Sequence, residues 1–359
     1  MSSFSDLLGQ FQKSAQTLSA AQSKQSQKKT KNDQQSQQQV KRKHDDDSSL
    51  YGTTNKKWAN NNNKKRKVPS DLRGFNIHFL CIGAQKAGTT WLHELLKLHP
   101  QFNLPLLNQK ELHFWDWNRH KGLSWYRQQF HHPPPTTDNK QQELQCGEIT
   151  PCYAVLPLDD IQEIYTLFPK CKVIFLARSL IDRAWSALLM ELRHAVCGIE
   201  RGTFMNHKNN NNDNTRRMEQ KANPDKYTDD YFMERLQHST HTLRSSYAKC
   251  IQNWLQYFPK EQLLIVPYTQ ISKQPRQTLI QISNFILDHN NDNNNFYSTV
   301  EESKLYEKFN DAASSYKKKN NIMTIRPSLR HKMQQYLKPL TQEFNILLKD
   351  LGYDWQLEE

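Results

Sequence analysis

A lysine and two threonines occupy a short loop bounded by glycines, and these residue types together can bind a phosphate-like anion. The loop, residues 83–88, reads GAQKAG and is followed by Thr89 and Thr90. Lysine brings a positive charge, threonine brings hydroxyl donors, and glycine lets backbone N–H groups approach the ligand. The predicted binding residues are Gln85, Lys86, Ala87, Gly88, Thr89 and Thr90. The alternative is a strand-to-helix turn in which these residues occur by chance.

The loop departs from the usual nucleoside triphosphate pattern, G-x-x-x-x-G-K-[ST]. Thr89 stands where that pattern has its lysine, and the lysine lies inside the loop at Lys86. A second apolar run ends in Arg178, where a nucleoside triphosphatase would place an aspartate that helps to hold Mg²⁺. The arginine indicates that an anion is bound directly, and Ser186 follows eight residues later. The alternative for Arg178 is an ion pair with a neighbouring carboxylate such as Asp182.

Apolar runs and helical periodicity alternate along the chain and predict the elements that would position these residues. Predicted strands cover residues 77–82, 145–149, 172–177 and 263–267, and predicted helices cover 89–98, 159–168, 181–195, 230–257, 275–287 and 328–351. This alternation predicts a three-layer α/β fold, in which helices cover both faces of a central parallel sheet. Ligands of such sheets bind beyond the carboxyl ends of the strands, where the loop and Arg178 would lie.

The first 70 residues differ from the rest in composition. They are rich in Gln, Asn, Ser and Lys and contain fourteen basic and five acidic residues. Such a segment buries too little apolar surface to fold, so we predict a disordered basic tail over 1–70. The catalytic domain is predicted over 71–359, with low-complexity loop insertions at about 202–225 and 288–295.

Cellular location is predicted from what the sequence lacks and from its basic clusters. No apolar run reaches the roughly 20 residues that span a bilayer, and no signal peptide begins the chain. We therefore expect a cytoplasmic protein without a membrane anchor. Clusters 41–43 and 64–68 are typical of nuclear import or of attraction to polyanions, and a solvated leader is the favoured alternative. We expect no nucleic acid to bind outside this tail, and no oligomeric state is predicted.

Metal and disulfide sites are not predicted. The six cysteines show no C-x-x-C spacing and are expected to be free thiols in a reducing compartment. His131-His132 has no third ligand at useful spacing, so a polar loop is the preferred interpretation there.

Five segments, in order, resemble motifs of the sulfotransferases that use 3′-phosphoadenosine 5′-phosphosulfate (PAPS). The similarity runs from about residue 75 to 355 and is closest to the carbohydrate branch, the heparan sulfate sulfotransferases and their bacterial relatives. The segments are QKAGTTWL at 85–92, KELHFWDW at 110–117, GEITPCY at 147–153, VIFLARSLIDRAWSALLMEL at 173–192, and NWLQYFP at 253–259 with the strand LLIVPY at 263–268.

The resemblance implies transfer of a sulfuryl group from PAPS to a hydroxyl or amine of a carbohydrate or small molecule. Such transfer is in line and depends on positioning and charge, and we expect no metal. Lys86 would stabilise the charge on the leaving 5′-phosphate. Arg178 and Ser186 would hold the 3′-phosphate. The basic run Lys317, Lys318 and Lys319 would close over it, with Lys318 the best match, although a solvated charge run is the alternative.

The acceptor must lose a proton, and the resemblance places the general base at Glu111. His113 is its orienting partner or the alternate base, because positions two apart in an extended segment share one side. A packed histidine beside Phe114 is the structural alternative. Asp116 and Glu148 are predicted on the acceptor side.

Two departures from the family pattern concern the acceptor. Ile149 stands where the Glu-Lys-Thr-Pro segment has its lysine, and the membrane anchor of Golgi members is missing. Both weaken heparan sulfate as the expected acceptor. The competing hypotheses are a P-loop kinase or other nucleotide-binding enzyme, and an inactive sulfotransferase fold that acts as a binding module.

Overall fold

A computed structural model describes residues 72, 74–105, 110–130, 144–197, 223–288, 295–307 and 324–358. The chain divides into two units, Met1–Arg66 and Lys67–Glu359, and every described residue belongs to the second. The predicted tail over 1–70 and most of both predicted insertions lie outside the described residues. At the edge of the first insertion, Asn223 Oδ1 accepts a hydrogen bond from the Asp225 N–H where the 3₁₀ helix Pro224–Lys226 begins.

In the part of the chain that the structure describes, five parallel strands form a sheet at the centre of the domain. Its strands are β1 (Phe79–Gly83), β2 (Phe102–Asn103), β3 (Gln145–Ile149), β4 (Lys172–Ala177) and β5 (Leu263–Pro267). Their order is β2-β3-β1-β4-β5, and every pair is parallel. The chain order reverses around β1, with β3 on one side and β4 on the other. Such a reversal opens a crevice at the carboxyl ends of the strands, and the glycine-bounded loop follows β1 at this place.

Both faces of the sheet are covered, which is why its strands are continuous apolar runs. All five residues of β1 are buried, as are Val173–Ala177 of β4. Gly147 is paired with Phe79, and a Cβ atom on Gly147 would lie 2.4 Å from the Phe79 ring. This strand contact therefore requires glycine.

Eleven helices in the described part of the chain surround the sheet and confirm the predicted α/β class. The helices are α1 (Thr89–Leu96), α2 (Gly122–Gln128), α3 (Leu158–Leu167), α4 (Leu180–Cys197), α5 (Asp229–Leu236), α6 (Ser239–Ser245), α7 (Tyr247–Leu255), α8 (Tyr268–Lys273), α9 (Pro275–Leu287), α10 (Glu302–Leu305) and α11 (Pro327–Asp350). The final helix, α11, contacts α4, α5 and α7, whereas α9 contacts α1.

The single long helix predicted over 230–257 is wrong, because three shorter helices occupy this range. His238 adopts an extended conformation, and its side chain accepts a hydrogen bond from the Thr240 N–H, so that a new helix begins at Ser239. Ser246 has a ψ of 63° and separates α6 from α7. Neither break has a glycine or proline, and the apolar pattern runs on across both.

The long C-terminal helix was predicted correctly from its apolar spacing. Its buried residues include Leu329, Met333, Leu337 and Phe344, at helical steps of four and seven residues. Among the described helices, none has the length and apolar character needed to cross a membrane. The cytoplasmic and nuclear locations stay predictions.

Candidate active site

The loop between β1 and α1 is held in place by backbone hydrogen bonds. The Ala87 N–H donates to the Ala84 carbonyl at 3.1 Å, and the Ala84 N–H donates to Leu176 O at 2.9 Å. Lys86 (φ 70°) and Gly88 (φ 93°) both lie in the left-handed region. That conformation is common for glycine but uncommon for lysine, and such residues concentrate at ligand sites.

The amino end of α1 is arranged to receive an anion. Gly88 is the residue that precedes the helix, and it has no side chain that could cap the first turn. The first N–H groups of a helix have no partner within it, and they carry the positive end of its dipole. A Cβ atom on Gly88 would lie 3.3 Å from the Tyr268 ring. The loop and the helix end thus form the strand–loop–helix cradle predicted for phosphate-like groups.

Positive charge accumulates around Lys86. Burial lowers the pKa of Lys86 from 10.5 to about 8, and the charges of neighbouring cations add to this shift. In descending order of effect these neighbours are Arg193, Lys110 and Arg178. A partly desolvated lysine near three further cations gains stability when an anion binds beside it.

Arg178 lies where β4 ends and reaches the loop. Its Nη1 donates to the Lys86 carbonyl at 3.0 Å, and its guanidinium lies 4.8 Å from the centre of the Tyr268 ring. Its buried Nε has no hydrogen-bond partner among the described residues. Asp182, the carboxylate of the alternative interpretation, lies 3.8 Å from Arg330 instead. The geometry therefore favours an anion-binding role for Arg178.

Ser186 and Arg193 both lie on α4, the helix that follows β4. Ser186 is half-buried on α4, eight residues after Arg178. Arg193 follows Ser186 by seven residues, two helical turns, and so lies on the same face of α4. Sequence reasoning missed Arg193, although this spacing was a usable signal. The predicted ligands Lys317, Lys318 and Lys319 lie outside the described residues.

Lys110 connects the loop with the predicted base. Its Nζ lies 3.2 Å from both the Thr89 and the Thr90 Oγ1 atoms, and 2.5 Å from Glu111 Oε1. The sequence motif contained this lysine, but no role was assigned to it. One ammonium group therefore contacts the anion cradle and the carboxylate at the same time.

Glu111 is an ionised carboxylate. Burial raises the pKa of its carboxyl, but the charge of Lys110 and hydrogen bonds from His113 and Lys110 outweigh burial and bring the pKa down to about 2. The side chain is 32% exposed. Solvent and a bound acceptor can therefore reach this carboxylate.

His113 lies between two carboxylates. Its Nε2 is 3.2 Å from Glu111 Oε2, and its Nδ1 is 2.9 Å from Asp116 Oδ2. Burial lowers the pKa of His113, but the hydrogen bonds to Asp116 and Glu111 raise it to about 10. An imidazolium has no free lone pair for a proton. Of the two candidate bases, the arrangement therefore favours Glu111, with His113 as its orienting partner.

Glu148 lies in the interior of the domain and supports the segment that contains Phe114. It is fully buried and accepts hydrogen bonds from the hydroxyls of Tyr126 at 2.6 Å, Thr150 at 2.8 Å and Tyr153 at 3.0 Å. Tyr153 Oη in turn accepts from the Phe114 N–H at 2.8 Å. Burial raises the pKa of Glu148 to about 7, although these hydrogen bonds lower it. This arrangement favours a positioning role for Glu148 over the predicted acceptor contact.

The structure brings most of the predicted residues together at one edge of the sheet. Residues 85–90 and Arg178 form the cradle, and Lys110 connects it to Glu111, His113 and Asp116. An anion cradle joined in this way to an ionised carboxylate defines an α/β group-transfer enzyme.

Comparison with known proteins identifies the group that is transferred. A model of the sulfotransferase domain family matches residues 76–344. Heparan sulfate glucosamine 3-O-sulfotransferase 5 of Mus musculus is 26% identical over 284 residues, which cover 74% of this chain and 70% of that protein. Bifunctional heparan sulfate N-deacetylase/N-sulfotransferase 4 of Mus musculus is 29% identical over 216 residues, which cover 58% of this chain and 22% of that protein. A sulfotransferase structure from Alicyclobacillus acidocaldarius covers 78% of this chain and 97% of its own, with 18% identity and a TM-score of 0.48.

The chain belongs to the sulfotransferase family, because the family model spans most of its length. It is therefore an enzyme that transfers a sulfuryl group. The prediction made from the five sequence motifs is confirmed for the family, the fold and the class of reaction.

Proposed function

We propose that this chain transfers a sulfuryl group from PAPS to a hydroxyl or amine of a carbohydrate, with Glu111 as the general base. The observation that carries this proposal is the position of Lys110, which contacts Thr89 and Thr90 on one side and Glu111 on the other. The sulfuryl group of a donor bound in the cradle and the acceptor group activated by Glu111 would meet at this lysine. In-line transfer needs the donor and the acceptor to be held close together in a fixed orientation.

The donor would occupy the cradle after β1. Lys86 and the first N–H groups of α1 would bind the 5′-phosphosulfate and stabilise the charge that develops on the leaving phosphate. Arg178 and Ser186 would bind the 3′-phosphate. Arg178 Nε has no hydrogen-bond partner among the residues that the structure describes, and three cations crowd Lys86. Both observations support this assignment, because both groups gain from an added anion.

Donor binding would also activate the base. In the free enzyme Lys110 holds the pKa of Glu111 low, and such a carboxylate is a weak base. The sulfuryl oxygens would offer Lys110 a competing anionic partner. As Lys110 turns towards the donor, the pKa of Glu111 rises and proton abstraction becomes easier, while His113 and Asp116 keep the carboxylate oriented. No step in this scheme requires a metal.

A sugar ring suits the surface beside the base. The Trp117 ring stacks on His113, with centroids 3.9 Å apart and planes at 10°, and Trp117 is 51% exposed. An exposed aromatic face next to a catalytic carboxylate can hold the apolar face of a pyranose. The names of the relatives specify heparan sulfate, a carbohydrate, which supports the same class of acceptor.

Labelled PAPS and a panel of oligosaccharides, phenols, steroids and amines would test the proposal. We expect transfer to a sugar, loss of transfer in Lys86→Ala, and near-normal transfer in Lys97→Ala, a matched control whose lysine is 36% exposed at the far end of α1. Thermal shifts should show stabilisation by 3′-phosphoadenosine 5′-phosphate and little by ATP with Mg²⁺. Stabilisation by ATP with Mg²⁺ and none by 3′-phosphoadenosine 5′-phosphate would favour the kinase hypothesis and overturn ours.

A further inference from the structure

Cys152 has no role in the proposed sulfuryl transfer, yet it forms a cluster with His113 and Asp116 beside the proposed base. One ligand atom each from His113, Asp116 and Cys152 lie within 4.8 Å of one another. An imidazole nitrogen, a carboxylate oxygen and a thiolate sulfur are the ligand types that Zn²⁺ takes in proteins. In a tetrahedral zinc site such atoms are separated by roughly 3.3–3.6 Å, so small side-chain rotations would suffice to bind a metal.

The two segments that supply these residues are held to each other. Cys152 lies in the 3₁₀ helix Pro151–Val155, which follows β3. The hydroxyl of Tyr153, from the same helix, accepts hydrogen bonds from the N–H groups of Phe114 at 2.8 Å and Trp115 at 3.3 Å. The turn that contains His113 and Asp116 is therefore fixed against the segment that contains Cys152. A site assembled in advance binds metal with less ordering cost.

The outer contacts also fit a metal site. Ligating histidines in proteins usually donate their second ring N–H to a carboxylate, and His113 Nε2 has such a partner in Glu111 Oε2 at 3.2 Å. This arrangement leaves Nδ1, the nitrogen that faces Asp116, available to a metal. Burial raises the pKa of the Cys152 thiol, and Arg244, whose Nη2 donates to the Cys152 sulfur at 3.6 Å, acts in the opposite direction. Asp116 and a Cys152 thiolate together neutralise a divalent ion.

We propose that His113, Asp116 and Cys152 bind a thiophilic divalent metal such as Zn²⁺, and that the bound metal inhibits the enzyme. The metal replaces the proton on His113 Nδ1 and the proton of the Cys152 thiol, and both protons pass to solvent. No electron is transferred. The inhibition rests on the proposed function of Glu111 and His113, because the metal separates His113 from Asp116 and occupies space beside the base. The binding itself does not depend on that function.

Cobalt absorption of the 359-residue chain tests the site without any turnover. Co²⁺ bound to a thiolate gives a strong charge-transfer absorption in the near ultraviolet. We expect this absorption to saturate at one Co²⁺ per chain in the unmodified protein and to vanish in Cys152→Ser and Cys152→Ala. It should persist in Cys250→Ala, a control at another buried cysteine. Circular dichroism establishes that each variant is folded.

Inhibition is measured separately with Zn²⁺ in the transfer assay. Cys152→Ser should keep the basal rate and need at least about tenfold more Zn²⁺ for half-inhibition, because loss of even an outer-shell partner of a ligand lowers metal affinity by about this factor. Two results would overturn the inference: no charge-transfer absorption in the folded unmodified protein, or the same absorption in folded Cys152→Ala. A protein that shows the absorption but transfers no sulfate would instead contradict the proposed function alone.

Discussion

The titration of Lys86 makes donor binding depend on pH. Its pKa is lowered to about 8 in the free protein by burial and by neighbouring cations. A bound phosphosulfate would bring the pKa back towards the ordinary value of 10.5. The protonated lysine binds the anion, so binding weakens as pH rises. Raising the pH from about 7 to about 9 should weaken binding of 3′-phosphoadenosine 5′-phosphate about tenfold, or about 1.4 kcal/mol.

Calorimetry in buffers with different ionisation enthalpies would detect the proton directly. At about pH 8 the unmodified protein should take up about half a proton for each ligand bound. Lys86→Arg should abolish both the uptake and the loss of affinity, because a guanidinium stays charged throughout this range. Lys97→Arg is the matched control and should leave both unchanged. Equal proton uptake in the unmodified protein and in Lys86→Arg would refute the assignment of this titration to Lys86.

Three further predictions concern the site and the sheet. Arg178→Ala should weaken binding of 3′-phosphoadenosine 5′-phosphate by about 1.5–3 kcal/mol in calorimetry, with a much smaller effect on adenosine 5′-phosphosulfate, which lacks the 3′-phosphate; equal effects on both ligands would contradict the assignment. Glu111→Gln should lower kcat about 10²- to 10⁴-fold without weakening donor binding, because Lys110 remains, and an unchanged kcat would exclude Glu111 as the base. Gly147→Ala should lower the free energy of unfolding in urea by about 1–3 kcal/mol, since its Cβ would lie 2.4 Å from the Phe79 ring; an unaltered urea midpoint would show that the strands adjust freely.

Long apolar runs made most of the fold predictable. The strand predicted at 172–177 is β4 with the same bounds, and the helix predicted at 275–287 is α9. Strand β2 has only two residues, Phe102–Asn103, so it is too short for any periodic pattern. The breaks before α6 and α7 depend on single backbone angles at His238 and Ser246, which sequence periodicity does not report.

The candidate site was predictable where a motif surrounds the residue. The loop with Lys86 and the strand end with Arg178 were both found in this way. The role of Lys110 could not be found, because it depends on two segments about twenty residues apart that meet only in the folded chain. Glu148 is another residue whose surroundings the sequence did not report. Its burial and its three hydroxyl partners depend on tertiary packing, and its place on the acceptor side stays a prediction.

The position of β4 in the sheet has a consequence for synthesis of the protein. β4 lies between β1 and β5, and β5 is the last strand in the part of the chain that the structure describes. During translation, β4 therefore has one unpaired side until residues 263–267 have left the ribosome. An apolar strand with free backbone groups invites pairing with other chains. Any expressed fragment that stops before β5 would leave this side of β4 unpaired. We expect such truncated chains to depend on chaperones and to form inclusion bodies.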